Sequence, residues 1–197
     1  TNDIGIASLK TFSKVKKNQV VLSIKAIPFG IKQKDVQNII KISKDCFKIL
    51  PFQKKNIHLI QTTNLNTRGK ILEKNSEVTK NRLSSCGITE IVEKICSHEI
   101  KSICEQIQTS VNENADIILI FGTTAISDIS DIIPQSIIQI NGTILRLGMP
   151  VEPGNLILLG DVEISKKHIS IIGMPGCARS KKENGVDWIL WRKLCDL

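Results

Sequence analysis

Three loops rich in glycine, proline and hydroxyl side chains hold the residues of this chain best suited to binding an anion. They follow apolar runs and cover residues 122–131, 148–155 and 173–180. Glycine lets backbone amides approach a ligand because it has no Cβ, and proline fixes the direction in which the chain enters the loop. Open α/β sheets bind ligands in the crevice beyond the carboxyl ends of their strands. We therefore expect the three loops to lie on one side of the fold and to form a crevice for a phosphate or another anion.

The positive charge of the chain is concentrated in its first quarter. The 197 residues carry a net charge of +8, but residues 1–55 hold twelve lysines and three aspartates, whereas residues 56–197 sum to −1. The first segment lacks arginine and has few aromatic side chains, which base reading and base stacking ordinarily use. A lysine-rich solvated surface explains this charge better than a nucleic-acid site does, so we expect no nucleic-acid partner.

Cysteines and histidines show no spacing typical of a metal site. The six cysteines, at 46, 86, 96, 104, 177 and 195, form no Cys-x-x-Cys pair, and the histidines at 58, 98 and 168 lack ligand spacing. No apolar run has the length of a membrane span, and the first residues lack the pattern of a signal peptide. We expect reduced cysteines, no bound zinc, no membrane partner and a cytoplasmic location. Because the chain begins at Thr1 without a methionine, we expect it to be a fragment of a longer protein.

Hydrophobic periodicity predicts alternating strands and helices from residue 56 onwards. The predicted strands cover 19–27, 56–62, 116–121, 143–147, 155–159 and 168–172, and an extended segment covers 88–96. The predicted helices cover 34–50, 76–86, 97–111, 130–140 and 184–195, with Ser76 as an N-cap and Gly87 as a helix stop. The pattern predicts a three-layer α/β/α sandwich over residues 56–197, preceded by an N-terminal β/α appendage over residues 1–55.

The three loops together resemble those of molybdopterin-binding domains with the MoaB/Mog-like fold. The resemblance is carried by Gly122–Pro134, Gly148–Leu156 and Gly173–Ser180, followed by Asn184–Trp188. Other stretches that fit the same family are Thr62, Arg68–Glu73, Val78–Thr79, Arg82 and Val20–Phe29. The resemblance is closest to the molybdopterin-binding half of proteins that often continue into a molybdenum-cofactor nucleotidyltransferase domain.

This resemblance implies a site for molybdopterin or the molybdenum cofactor, whose phosphate is anionic. It implies the following ligand-binding residues: Gly122, Thr123, Thr124, Ser127, Pro153, Gly154, Asn155, Pro175, Gly176, Arg179, Ser180 and Asn184. Within this set, backbone amides near Gly176 and the hydroxyls would bind the phosphate, and Arg179 would make a bidentate contact. Asp128 and Asp131 would be the catalytic residues, accepting hydrogen bonds from the pterin or holding a magnesium ion. Two structural alternatives stay open, a surface role for Arg179 and a helix-terminus role for Asp131.

Two departures from the family pattern bear on catalysis. Adenylylating members carry a Gly-Gly-Thr-Gly loop where this chain has Gly122–Ala125, and fused members carry arginines where this chain has Ile129 and Ser130. Fewer phosphate partners weaken the case for catalysis more than the case for binding. We therefore favour a binding module that serves a nucleotidyltransferase domain or protein, and we expect a homo-oligomer. The alternatives are an active molybdopterin adenylyltransferase or molybdenum-insertion enzyme, and a basic interaction module acting through residues 1–55 without a pterin.

Overall fold

The computed structural model describes residues 3–164 and 166–197, and the chain divides into two compact units between Pro51 and Phe52. The predicted boundary lies four residues later, after residue 55. Phe52 belongs to the second unit because it packs against that unit's core, and the Gln53 N–H donates to the Leu194 carbonyl at 2.7 Å. The identity of residues 1–55 as a separate basic segment stays a prediction. Within the described residues, no helix is both long and apolar enough to cross a membrane.

The first unit consists of a hairpin and one helix. Strands β1 (Ile4–Ser8) and β2 (Leu22–Ala26) pair antiparallel, and helix α1 covers Gln33–Ser43. Sequence periodicity did not predict β1, and it predicted a helix that continues to residue 50. The helix ends earlier because the backbone becomes extended at Lys44, where ψ is 126°, and turns left-handed at Asp45, where φ is 64°.

The second unit is built on one six-stranded sheet in the order β4-β3-β5-β8-β7-β6. Its strands are β3 (Ile57–Thr63), β4 (Val92–Ser97), β5 (Ile117–Phe121), β6 (Thr143–Leu147), β7 (Leu158–Ile164) and β8 (Lys167–Met174). Its α-helices are α2 (Gly69–Ser84), α3 (Ile100–Asn112), α4 (Ile132–Gln139) and α5 (Gly185–Lys193), and a short 3-10 helix covers Gly176–Arg179. Neighbours β4, β3, β5 and β8 run parallel, and β7 is antiparallel to both β8 and β6.

Helices cover both faces of this sheet, so the predicted three-layer sandwich is confirmed. Alternate side chains of β5 enter two cores: Leu119 belongs to one and Ile120 to the other. The first core, here called core A, includes Leu83 of α2 and the α5 residues Val186 and Leu190; the second, core B, includes Ile103 and Ile107 of α3 and Ile133 and Ile137 of α4. Because both its faces are buried, β5 is apolar throughout rather than alternating.

All three predicted ligand loops leave the same edge of the sheet. Residues at or near the ends of these loops are paired with one another across four neighbouring strands. Leu147 pairs with Leu158, Leu158 pairs with Gly173, and Gly173 pairs with Ile120. Since β6, β8 and β5 run in the same direction, their carboxyl ends and the loops that follow lie together. The single-edge prediction is therefore confirmed.

Two predicted element boundaries were wrong for local reasons. Helix α2 begins at Gly69, so Ser76 lies in the helix interior, where its hydroxyl donates to Glu93 instead of capping a helix. Strand β7 begins at Leu158 rather than at residue 155, because the loop before it closes on itself: the Met149 N–H donates to the Asn155 carbonyl at 2.9 Å. The predicted stop at Gly87 is confirmed by its φ of +84°.

Candidate functional site

Arg179 joins two of the three loops. It lies in the 3-10 helix after β8, and its Nη2 donates to the Gly122 carbonyl at the end of β5 over 3.2 Å. Its Nε donates to Asn75 Oδ1 at 3.2 Å, and its guanidinium carbon lies 5.4 Å from the centre of the Phe121 ring. The Arg179 side chain therefore connects loop 173–180 to loop 122–131, and its guanidinium lies over the ring of Phe121.

The charge of Arg179 is not neutralised by a neighbouring carboxylate. Within residues 3–164 and 166–197, no acidic oxygen lies within 4.0 Å of its guanidinium, and both of its hydrogen-bond acceptors are neutral amide oxygens. Burial lowers the pKa of Arg179, because a half-buried cation loses hydration. A guanidinium in such a position attracts an anion, and its planar N–H groups match phosphate or carboxylate oxygens.

An open groove adjoins this guanidinium. Its lining residues come from α2 and from the loop after β8: Lys74, Glu77, Val78, Gly176, Cys177, Arg179, Ser180 and Lys181. Gly176 is exposed, and a Cβ placed on it would stand 3.5 Å from Arg179 Nη1. Three of the lining side chains are cationic, and Lys181 is paired with Glu77 at 2.7 Å. The groove is therefore suited to an anionic group that reaches Arg179 past Gly176.

A buried polar chain holds Arg179 in place. Asn75 on α2 is 1% exposed, and its Nδ2 donates to Gln61 Oε1 at 2.9 Å, leaving Oδ1 to accept from Arg179. Gln61 on β3 in turn donates to Ser76 Oγ at 3.0 Å. Our sequence reasoning assigned no role to Asn75. The available signal was an amide side chain on the inner face of an amphipathic helix, where an apolar residue is expected.

A second polar cluster lies across Gly122 from Arg179 and centres on Thr62. Its Oγ1 accepts from the Thr123 N–H at 3.1 Å, lies 3.2 Å from the Phe121 carbonyl oxygen, and lies 2.8 Å from His98 Nδ1. Sequence reasoning gave His98 no function because its spacing to other histidines is wrong for a metal. A better signal was its position directly after β4, at the edge where the other loops gather.

Gly122 is required sterically between these two clusters. A Cβ at this position would stand 2.9 Å from both Ile133 Cδ1 and the Thr124 carbonyl oxygen, and 3.6 Å from His98 Cε1. Thr123 beside it is half-buried, and its Oγ1 has no hydrogen-bond partner among the described residues. The end of β5 therefore places a bare backbone segment between Arg179 and His98.

The two predicted catalytic aspartates shape their own loop. Asp131 Oδ2 accepts from the N–H groups of Ser127 and Asp128 at 2.6 and 3.0 Å. Asp128 Oδ1 accepts from the hydroxyl and N–H of Ser130 at 2.6 and 2.8 Å, and these bonds lower the pKa of Asp128. In the part of the chain that the structure describes, no three His, Cys, Asp or Glu residues are grouped to hold a metal ion. The catalytic roles and the magnesium ion stay predictions.

Loop 148–155 packs on the N-terminus of α5. The Gly185 N–H donates to the Pro153 carbonyl at 3.1 Å, and a Cβ on Gly154 would stand 2.6 Å from the Gly185 nitrogen. Asn184 is 2% exposed and caps α5: its Oδ1 accepts from the Val186 N–H at 3.0 Å and its Nδ2 donates to the Lys182 carbonyl at 3.1 Å. Ligand binding by Pro153, Gly154, Asn155 and Asn184 stays a prediction.

The remaining predicted ligand residues differ in accessibility. Thr124, Ser127 and Ser180 are exposed at this edge, whereas Pro175 is buried at the start of the 3-10 helix. Ser180 Oγ accepts from the Lys182 N–H at 3.2 Å, which leaves its hydroxyl proton available to a ligand. The structure thus places loops 122–131 and 173–180 in direct contact through Arg179, while loop 148–155 contacts α5.

Comparison with known proteins gives structural similarity alone. No family model and no curated protein sequence matches the chain. The tungsten cofactor synthesizing protein MoaB from Pyrococcus furiosus is 15% identical, with a TM-score of 0.47, and the match covers 65% of this chain and 86% of that one. A MogA structure is 15% identical, with a TM-score of 0.46 over 70% of this chain and 92% of that one. The molybdopterin biosynthesis Mog protein from Mycobacterium ulcerans is 14% identical, with a TM-score of 0.42 over 71% and 92%. At these values the similarity assigns neither a family nor a ligand to this chain.

Proposed function

We propose that this chain binds molybdopterin, or its molybdenum-loaded form, as a binding module in molybdenum cofactor biosynthesis. The observation that carries the proposal is the half-buried guanidinium of Arg179, which bridges two loops and has no carboxylate neighbour within the described residues. The phosphate of the pterin is the anion that completes this arrangement. The pterin identity itself comes from the resemblance of loops 122–134, 148–156 and 173–180 to molybdopterin-binding domains.

A binding role is favoured over an adenylylating or molybdenum-inserting role by the contacts of the acidic residues. The bonded oxygens of Asp128 and Asp131 accept from backbone amides of their own loop, so these carboxylates stabilise a turn. We propose that the bound cofactor is passed to a nucleotidyltransferase domain or protein, and that the module acts as a homo-oligomer.

Calorimetric titration with purified molybdopterin tests the proposal. Arg179→Ala should weaken binding by about 1.5–3 kcal/mol, the range for a hydrogen bond to a charged group, which is roughly 10- to 150-fold in Kd. Gly176→Val should also weaken binding, because the new side chain would enter the groove beside Arg179 Nη1 without a backbone clash. Arg192→Ala is the matched control, since Arg192 donates to the Trp188 carbonyl within α5 and does not line the groove.

Two results would contradict the proposal. Equal affinity of the wild type and Arg179→Ala would show that this loop does not hold the phosphate. No binding by the wild-type chain would remove the pterin function altogether. Circular dichroism of each variant checks that the fold is retained, so that a loss of affinity can be assigned to the site.

A further inference from the structure

His98 lies at the ligand edge but on the opposite side of the sheet from Arg179. It follows β4 directly, and its backbone N–H donates to the Thr63 carbonyl at 2.8 Å. Its partner Thr62 alternates with Gln61 along β3, so the two side chains point to opposite faces. Gln61 accepts a hydrogen bond from Asn75, which in turn accepts one from Arg179. Thr62 instead contacts His98 Nδ1. The end of β5 at Gly122 therefore has a cation on one side and an imidazole on the other.

The contacts of Thr62 determine which ring nitrogen of His98 carries the proton. A threonine hydroxyl has one proton to donate and two lone pairs with which to accept. The Phe121 carbonyl can only accept, so it receives the Thr62 proton, and the Thr123 N–H occupies one lone pair. The second lone pair then receives a proton from His98 Nδ1, 2.8 Å away. Only this arrangement makes all three contacts hydrogen bonds, and in a neutral imidazole it leaves Nε2 of His98 without a proton.

The free nitrogen Nε2 is an acceptor that nothing else uses within the described residues. His98 is half-buried, and burial lowers its pKa more than the charge of Asp131, at the start of α4, raises it. The imidazole is consequently neutral near pH 7. A neutral ring with its Nδ1–H fixed by a threonine keeps one lone pair, on Nε2, with which it can accept a hydrogen bond.

We infer that His98 is a specificity-determining residue whose Nε2 accepts a hydrogen bond from a ring N–H or amino group of the bound ligand. The inference rests on the proposed function: the phosphate binds Arg179 while the pterin ring system, which carries such donors, reaches His98. Thr62 is the positioning residue, because it holds the imidazole in the accepting tautomer. The same site disfavours a ligand that presents only acceptors or negative charge to His98.

The pH dependence of binding separates this role from an electrostatic one. If Nε2 accepts from the ligand, protonation of His98 removes the acceptor, so affinity for molybdopterin falls as the pH is lowered below about 6.5, the ordinary pKa of histidine. If His98 instead bound the phosphate as a cation, affinity would rise over the same range. The ligand phosphate titrates near pH 6 as well, so each profile is compared with that of His98→Gln, which has no titrating group at this position.

The experiment is calorimetric titration of the wild type, His98→Gln, His98→Asn and Arg179→Ala with molybdopterin between pH 5.5 and 8, accompanied by NMR assignment of the His98 tautomer. We expect the ligand-free protein to carry the proton on Nδ1, and Thr62→Val to lose that preference. We expect His98→Asn, which can still reach Thr62 but lacks Nε2, to bind about 3- to 10-fold more weakly at pH 7.5. We expect the affinity of the wild type to fall more steeply below pH 6.5 than that of His98→Gln.

The outcomes distinguish this inference from the proposed function. Binding that depends on Arg179 but has the same pH profile in the wild type and His98→Gln overturns the inference and leaves the proposed function standing. A wild-type affinity that rises relative to His98→Gln at low pH overturns it too, as does a proton found on Nε2. No binding at pH 7.5 refutes the proposed function, and the role of His98 is refuted with it.

Discussion

Replacing Arg82 by methionine should destabilise the second unit severely. Arg82 lies on the inner face of α2, is 8% exposed, and pairs through Nη1 with Asp187 Oδ2 of α5. Its Nη2 donates to the carbonyls of Ala178, Ser180 and Lys182. Methionine keeps an unbranched apolar stem but removes the guanidinium, so its effect comes chiefly from the loss of the charge and its donors.

The size of the effect follows from what the substitution leaves behind. Asp187 is 7% exposed, and without Arg82 its carboxylate would be buried with only the Asn184 N–H, at 2.8 Å, as a remaining donor. Removing one partner of a buried ion pair typically costs about 3–5 kcal/mol. Total stabilities of domains are about 5–15 kcal/mol. The variant should therefore lose about a fifth or more of its free energy of unfolding, even though the intact pair contributes less than this to net stability.

Urea unfolding followed by circular dichroism measures the loss. With an m-value of about 2 kcal/mol/M, the midpoint should fall by about 1.5–2.5 M. Adding Asp187→Asn to Arg82→Met removes the uncompensated charge and keeps an acceptor for Asn184, so the double variant should recover part of the lost stability. Lys181→Met is the matched control, because Lys181 Nζ also forms an ion pair with a residue of the α2–α5 region, Glu77 of α2, at 2.7 Å. The side chains of Lys181 and Glu77 are 69% and 61% exposed, so the urea midpoint should not change measurably. The reasoning is refuted if Arg82→Met unfolds at the midpoint of the control, or if the double variant is less stable than the single one.

Two further predictions concern pH and backbone geometry. His58 is completely buried, and neither ring nitrogen has a hydrogen-bond partner within residues 3–164 and 166–197; burial, reinforced by Lys94, lowers its pKa. As the pH falls below 6.5, the unfolded chain therefore binds a proton at His58 more readily than the folded chain does. This contribution to the free energy of unfolding should be constant above pH 6.5 and fall by up to about 1.4 kcal/mol per pH unit below it. The slope should be smaller in His58→Leu, and parallel curves for the two proteins would disprove the assignment. Gly154→Ala should lower the unfolding free energy by more than about 1 kcal/mol, because φ is +117° and the new Cβ would stand 2.6 Å from the Gly185 nitrogen. Gly69→Ala, where a Cβ would meet nothing within 4 Å, should be neutral or slightly stabilising; equal thermal shifts in both variants would contradict the steric argument.

The sheet and the side on which the loops gather could be predicted because they depend on local patterns. The apolar run from Ile117 to Phe121 indicates a strand that is buried on both faces of the sheet. Such a strand requires helices packed on each face. Once neighbouring strands are parallel, the loops after β5 and β8 must share an edge. The same local logic was wrong at Ser76, since a serine two residues before an apolar position resembles a helix cap whether or not a helix already surrounds it.

The contacts that organise the candidate site could not be predicted, because their partners are far apart in the chain. Arg179 and Asn75 are separated by 104 residues, and Arg82 and Asp187 by 105. Periodicity identifies which face of α2 turns inward, but it does not reveal that polar side chains on this face have buried partners. The role of Thr62 likewise depends on His98 and Thr123, which follow two different strands.

Helix α2 explains how stability and the candidate site are connected. Asn75 and Arg82 lie seven residues apart, two helical turns, and are therefore on one face. Asn75 holds Arg179, and Arg82 binds carbonyls on both sides of Ser180, so both ends of the segment 178–182 depend on the same helix. Apolar residues at both positions would pack the core without the desolvation that buried polar groups incur. Since these polar side chains contact the loop that contributes Arg179, their physical effect is to fix that loop's geometry. The inner face of α2 therefore fixes the position of the guanidinium to which we propose that the ligand phosphate binds.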